Sequence, residues 1–311
     1  MLARAKEKLQ TRAASLILGP ILDECDLMNA IDTLLADFFD YAGLYPPASL
    51  SLRSAANNYL DYASGKHAAA LGRFIINADR FEEFRSIAGE RLKQFKLSVI
   101  ASDVESLSGI SHEISNGMPI ETVEIKCADP EVIQRIPSNV PQSVTTFIEI
   151  SFDSYGIAAL DVISRQGLRA KIRMGGVIAG AFPPVSAVIQ ILSALAKLRL
   201  PFKATAGLHH PIRSNQPLTY DPNSEKSTMY GFLNLSCAAA VLYFNGKEKD
   251  AEKLLQDEDQ AAWQVDEDSL QWRHLKWTRN QLSTLRHEFF MSIGSCSFEE
   301  PIRDLEALGW L

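Results

Sequence analysis

Lys126, Lys171, Arg173 and Lys203 stand inside short apolar runs, the places in a sequence where a charge is most costly to bury and so most informative. Every second side chain of a β-strand faces the same side. Lys171 and Arg173 therefore share a face, as do Lys203 with Thr205 and Glu124 with Lys126. Glu149 stands near the end of another such run, Arg73 and Asn77 lie on one, and Asn234 on a last one. The cations outnumber the carboxylates in this set. That balance suits an anionic substrate bearing a carboxylate or phosphate, for which arginine supplies a planar fork. Closely placed cations also depress a lysine's pKa, which is how a lysine becomes an amine nucleophile toward a carbonyl. Lys171 and Lys203 are the candidates, with Glu149 as the proton carrier.

Glycines flank the same set. Gly175, Gly176 and Gly207 follow the two lysine-bearing runs, where a missing Cβ lets backbone N–H groups approach a ligand. The stretch from Gly175 to Pro184 reads either as a substrate loop or as a plain turn. It carries neither a dinucleotide fingerprint nor a phosphate-binding Lys-Ser/Thr loop, so no cofactor is expected. His209 and His210 end the run that holds Lys203, where a histidine can exchange a proton, bind substrate or ligate a metal. The remaining histidines have no i,i+4 companion, so substrate binding or acid–base work is preferred and no metal ligand is named. Asp40, in Asp40-Tyr41 before Tyr45-Pro46-Pro47, is read as binding a substrate hydroxyl or ammonium, or as capping a turn. Cys127, Cys237 and Cys296 have no histidine beside them in sequence, and nothing marks a catalytic thiol.

The elements that must hold these residues repeat one theme, an apolar run followed by a helical stretch. The runs begin near Asp37, Ala70, Phe95, Glu121, Val144, Leu168, Phe202 and Tyr230. Their spacing gives each one strand and one crossover helix. The expected fold class is α/β, a (β/α)8 TIM barrel with N-terminal helices and a helical C-terminal extension. The expected divisions are an N-terminal helical segment at 1–33, the barrel at 34–246, and a helical extension at 247–311 packed on the barrel. An open doubly wound sheet is the competitor, but it would want a glycine-rich loop after its first strand, and Gly43-Leu-Tyr-Pro-Pro stands there.

Between 144 and 210 the sequence resembles class I deoxyribose-phosphate aldolases. Phe147-Ile-Glu-Ile matches a glutamate-bearing strand five, Ala170-Lys171-Ile-Arg-Met-Gly175-Gly176 a strand six with the Schiff-base lysine, and Phe202-Lys203-Ala-Thr-Ala-Gly207 a strand seven with a second lysine. The resemblance implies an imine on Lys171 whose pKa Lys203 lowers. It covers about a fifth of the chain and departs at Arg173-Met174, at Leu208 and at the histidine pair.

Composition narrows the partners. The 311 residues are 46% hydrophobic and carry a net charge of -7, which offers no field to a phosphate backbone, so nucleic acid is not expected. The charge-free windows at 174–196 and 227–246 are broken by Gly, Pro and Asn, which argues against membrane spans. Four widely spaced cysteines give no disulfide framework, and a cytoplasmic location is expected. The expected partner is a small anionic metabolite, and a homo-oligomer stays open. The leading expectation is a lyase, aldolase or decarboxylase working through an imine. A metal-assisted hydrolase or isomerase using His209 or His210 with strand-end carboxylates, and a barrel that binds an anionic metabolite without converting it, are the alternatives.

Overall fold

In the computed structural model, which describes residues 29–311, the strands are β1 (Phe39–Tyr41), β2 (Leu71–Asn77), β3 (Leu97–Ala101), β4 (Ile120–Lys126), β5 (Thr145–Ile150), β6 (Arg169–Arg173), β7 (Phe202–Thr205), β8 (Ser214–Pro217), β9 (Lys226–Met229), β10 (Trp263–Val265), β11 (Ser269–Trp272), β12 (Leu275–Thr278) and β13 (Phe290–Ser295). β1 to β7 and β13 close a parallel barrel in the order β1-β13-β7-β6-β5-β4-β3-β2. The fold is therefore the expected (β/α)8 barrel. Most of the expected N-terminal segment lies outside the described residues. Of it, only the short helix α1 (Ala30–Leu35) is seen, started by Asn29, whose side chain accepts a hydrogen bond from the Asp32 N–H.

Crossover helices α2 (Leu52–Ala63), α3 (Phe81–Ala88), α4 (Leu107–Ser115), α5 (Pro130–Arg135), α6 (Ser154–Arg165) and α7 (Val185–Leu198) follow the first six strands in turn. Their starts are written locally. Ser51, Asp129 and Asp153 each accept a backbone N–H of the first turn, and Pro130 follows Asp129 where its missing N–H costs nothing. The charge-free window at 174–196 resolves into a loop and α7, which turns Val188, Ile191, Leu192 and Leu195 into the core. Buried on both faces, the barrel strands read as apolar runs, and Ile148, Ile172 and Ala204 are fully buried.

The eighth strand is not where the sequence put it. The run from Tyr230 begins helix α8 (Phe232–Tyr243), all twelve residues of which are buried. An apolar run without polar alternation does not separate a buried strand from a helix apolar all round. Chain closure comes instead from β13, which pairs with β1 through Asp40 and Gly294 and with β7 through Thr205 and Gly294. The expected barrel boundary at 246 is thereby corrected. The segment after it is more than a helical extension packed outside: it holds α9 (Glu248–Gln256), the antiparallel sheet β10-β11-β12, α10 (Arg279–Glu288), the closing strand, and α11 (Glu299–Ala307). Buried Arg286 ties this end to the start of the barrel, donating to the backbone carbonyls of Leu34, Ala36, Phe290 and Met291.

Candidate functional site

Strand register brings the charged side chains together. Lys126 pairs with Glu149 across β4 and β5, Glu149 with Lys171 across β5 and β6, and Lys171 with Lys203 across β6 and β7. Residues paired in a parallel ladder face the same side, so this row points into the barrel together with Glu124, two residues before Lys126. Above it, at the carboxyl ends of the strands, opens a cavity of about 510 Å³. Glu124, Lys126, Glu149, Lys171, Arg173, Gly176, His209 and His210 line it, with Tyr45, Pro46 and Pro47 from the loop after β1.

Beneath the cavity the network is closed. Lys203, with no exposed surface, is bound by the Asp40 carboxylate and by Glu124 Oε1 at 2.7 Å. Ser292 donates to Asp40 at 2.8 Å, Ser98 donates to Glu124 Oε1 at 2.7 Å, and Thr122 donates to Ser98 at 2.7 Å. Two buried carboxylates thus bind one buried ammonium, and serine hydroxyls in turn donate to those carboxylates, the arrangement in which buried charge is tolerable.

Lys171 forms the upper layer. Its Nζ stands 2.6 Å from Glu124 Oε2 and 2.8 Å from Glu149 Oε2, and it reaches the cavity floor. Burial alone would lower its pKa, but Glu124 and Glu149 outweigh burial and raise it. The expectation that neighbouring cations would depress this lysine is corrected: Glu124 sits between the two lysines, one oxygen to each. Burial would raise the Glu124 carboxyl, and the two ammonium groups instead hold it well below the usual carboxylate range. Arg173 is more than half exposed and only 4.0 Å from Glu149 Oε1, while Lys126 makes no ion pair among the described residues. These two are the cations with capacity to spare for a ligand.

Besides Lys203, four further expected site residues do not line the cavity. Arg73 binds Glu121 at 3.0 Å near the opposite end of the barrel, because a period of two fixes the face of a residue and not its height along the strand. Asp40 is in the middle of β1 and contacts Lys203 below the cavity rather than a ligand in it. Gly175 does not line the cavity, and a Cβ there would strike Phe182. Asn234, on α8, accepts from the Arg213 N–H at 2.8 Å and donates to the Leu254 and Asp257 carbonyls, holding a loop to a helix end.

The histidines turn toward α11. His209 Nδ1 lies 3.2 Å from Glu300 Oε2 and 3.9 Å from Cys296 Sγ, and His210 Nδ1 lies 2.6 Å from Asp304 Oδ2. Burial would lower the His209 pKa, but Cys296 and Glu300 raise it to about 10. Among the described residues no group of three or more His, Cys, Asp or Glu side chains is arranged to hold a metal ion. Sequence reasoning missed Cys296, Glu300 and Tyr220 as cavity residues. They come from just after the closing strand, the last helix and the loop between β8 and β9, and no local spacing links them.

No protein-family model and no curated protein matches the chain. Among solved structures it is similar to the carboxyl transferase domain of pyruvate carboxylase from Rhizobium etli, at 11% identity over 56% of this chain and 28% of that one, with a TM-score of 0.30. It is also similar to nitroalkane oxidase from Streptomyces ansochromogenes, at 13% identity over 58% of this chain and 61% of that one, with a TM-score of 0.32. The chain spans less than two thirds of either structure.

Proposed function

We propose that the protein is an enzyme acting on a small anionic carbonyl compound, a carbon–carbon lyase of aldolase or decarboxylase type. The observation that carries this is the position of Lys171: its ammonium sits at the cavity floor between Glu124 and Glu149, below Arg173 and Lys126. A ligand carboxylate or phosphate would meet Arg173 and Lys126, and its carbonyl oxygen would face Lys171. Held as an ammonium, Lys171 donates a hydrogen bond to that oxygen and stabilises the enolate left when the carbon–carbon bond breaks, which is electrostatic catalysis by a preorganised donor. Glu149, partly exposed to the cavity, takes the proton of the cleaved hydroxyl, or one from solvent when CO2 leaves, and passes it to the enolate carbon.

The contact between Lys171 and Glu149 favours a second route, the imine implied by the resemblance to deoxyribose-phosphate aldolases. There Lys171 first passes its proton to Glu149, and its nitrogen then adds to the carbonyl carbon with loss of water. Borohydride separates the routes. The wild type and Lys171→Met are incubated with a panel of 2-oxo acids and sugar phosphates, assayed for cleavage, and mapped for reduced adducts. Turnover that disappears in Lys171→Met without an adduct supports the ammonium route, and an adduct on Lys171 supports the imine. Full turnover in Lys171→Met overturns both. Binding that raises thermal stability with no conversion of any panel member would leave a barrel that holds an anionic metabolite without reacting.

A further inference from the structure

A second group of reactive side chains shares the cavity. Cys296 follows the closing strand at its carboxyl end, where barrel residues reach the mouth, and its thiol opens on the cavity. Its Sγ stands 3.9 Å from His209 Nδ1 and 3.7 Å from the Tyr220 hydroxyl. Glu300 Oε2 completes the ring of contacts, 3.2 Å from the same His209 nitrogen and 3.4 Å from the Tyr220 oxygen. His209 and Tyr220, from two separate loops, meet at one sulfur with Glu300 of α11 joined to both, and the chemistry proposed for Lys171 uses none of them.

We infer that Cys296 is a nucleophilic thiol, activated by His209, that forms a covalent bond with small anionic electrophiles entering the cavity. The imidazole takes the thiol proton and is steadied in its cationic form by Glu300. That cation then stabilises the thiolate beside it, the pairing by which a histidine makes a cysteine reactive. The raised His209 pKa agrees with an imidazolium at neutral pH. Toward an aldehyde, the sulfur bonds to the carbonyl carbon, the π electron pair moves to oxygen, and the oxygen takes the proton from His209, giving a thiohemiacetal and a neutral imidazole. Toward an alkyl halide, the sulfur bonds to carbon and halide leaves with the bonding pair. Lys126 and Arg173 line the same cavity and give it a preference for anions. This inference rests on the cavity and the thiol, and it stands whether or not Lys171 breaks carbon–carbon bonds.

The test is alkylation of the intact protein at neutral pH with iodoacetate, which is anionic, and with iodoacetamide, which is neutral, followed by peptide mapping of all the cysteines. Cys296 is expected to react with iodoacetate at least about tenfold faster than Cys127, the gain that a thiolate fraction raised by a cationic neighbour provides. His209→Asn should erase that gain while leaving labelling of Cys127 unchanged. The ratio of iodoacetate to iodoacetamide rates should also be higher at Cys296 than at Cys127. Ultraviolet absorbance of the thiolate, compared between the wild type and Cys296→Ser, reads the same ionisation without alkylation. Cys296 that labels no faster than Cys127 and gives no thiolate absorbance overturns the inference, as does labelling that His209→Asn leaves untouched. A Lys171→Met variant that loses turnover yet keeps rapid labelling would separate this thiol from the lyase reading.

Discussion

Lys171 and Lys203 occupy the same register position on adjacent strands and bind opposite oxygens of Glu124, yet only Lys171 reaches the cavity. One carboxylate thus divides the charged interior into two layers. The lower layer, Asp40 with Lys203, is sealed and fully partnered. The upper layer, Lys171 with Glu149, meets solvent and has Arg173 and Lys126 beside it. Identical side chains side by side meet different surroundings because the cavity floor passes between them.

Lys203→Ala should therefore act on stability. It leaves Asp40 and Glu124 buried with one counter-charge fewer, and breaking a buried pair by removing one partner costs roughly 3–5 kcal/mol. Urea unfolding should show the midpoint falling with an unchanged slope. A loss below about 1 kcal/mol would mean that this interior does not need the ammonium.

Arg173→Ala should act on binding. The guanidinium is mostly exposed, so its removal disturbs the core little, while a charge-assisted hydrogen bond to a ligand anion is worth about 1.5–3 kcal/mol, or about ten- to a hundredfold in Kd. Calorimetric titration with a 2-oxo acid that binds the wild type should show this loss with unfolding unchanged. Equal affinity in the two proteins would remove Arg173 from the anion site.

The row from Glu149 to Lys203 was legible because a charge inside an apolar run has few places to go, and register did the rest. Height along a strand was not legible: Arg73 and Lys171 give the same alternating signal, and one is near the bottom of the barrel and the other at the cavity floor. The closing strand Phe290–Ser295 fell inside the stretch expected to be a helical extension, since Ser292, Gly294 and Ser295 dilute its apolar pattern. Gly294 has a packing reason, because a Cβ there would press on Thr205 Oγ1 and Ile75. Cys296 and His209 stand 87 residues apart, and only barrel closure makes them neighbours.

Protonation of His209 should contribute to stability in a defined pH range. Its pKa rises from 6.5 to about 10 on folding, against the effect of burial, through Cys296 and Glu300. A raised pKa gives stability that is fully present below the unfolded value and lost as pH climbs through the folded one. Relative to His209→Asn, the wild type should hold its largest advantage near pH 6 and lose it progressively from about pH 6.5 toward pH 10. Denaturant midpoints of both proteins across that range check this. A stability difference that stays constant with pH would mean that His209 titrates alike in the folded and unfolded chain.

Truncation after Gly246 should prevent folding. The shortened chain keeps β1 to β7 and α8 but lacks β13, whose backbone pairs with both β1 and β7. Without it two barrel edges face each other unpaired, and exposed parallel edges recruit other chains. The truncation also removes Arg286, so the carbonyls of Leu34 and Ala36 lose their buried partner, and Phe290, whose ring stacks on Phe202 at 4.7 Å. The fragment 1–246 should aggregate or show no cooperative unfolding transition. Adding residues 247–311 as a separate polypeptide should restore a transition if it can supply the missing strand. A fragment that unfolds cooperatively on its own would show that seven strands suffice, and that the closing strand serves the cavity and its thiol more than the fold.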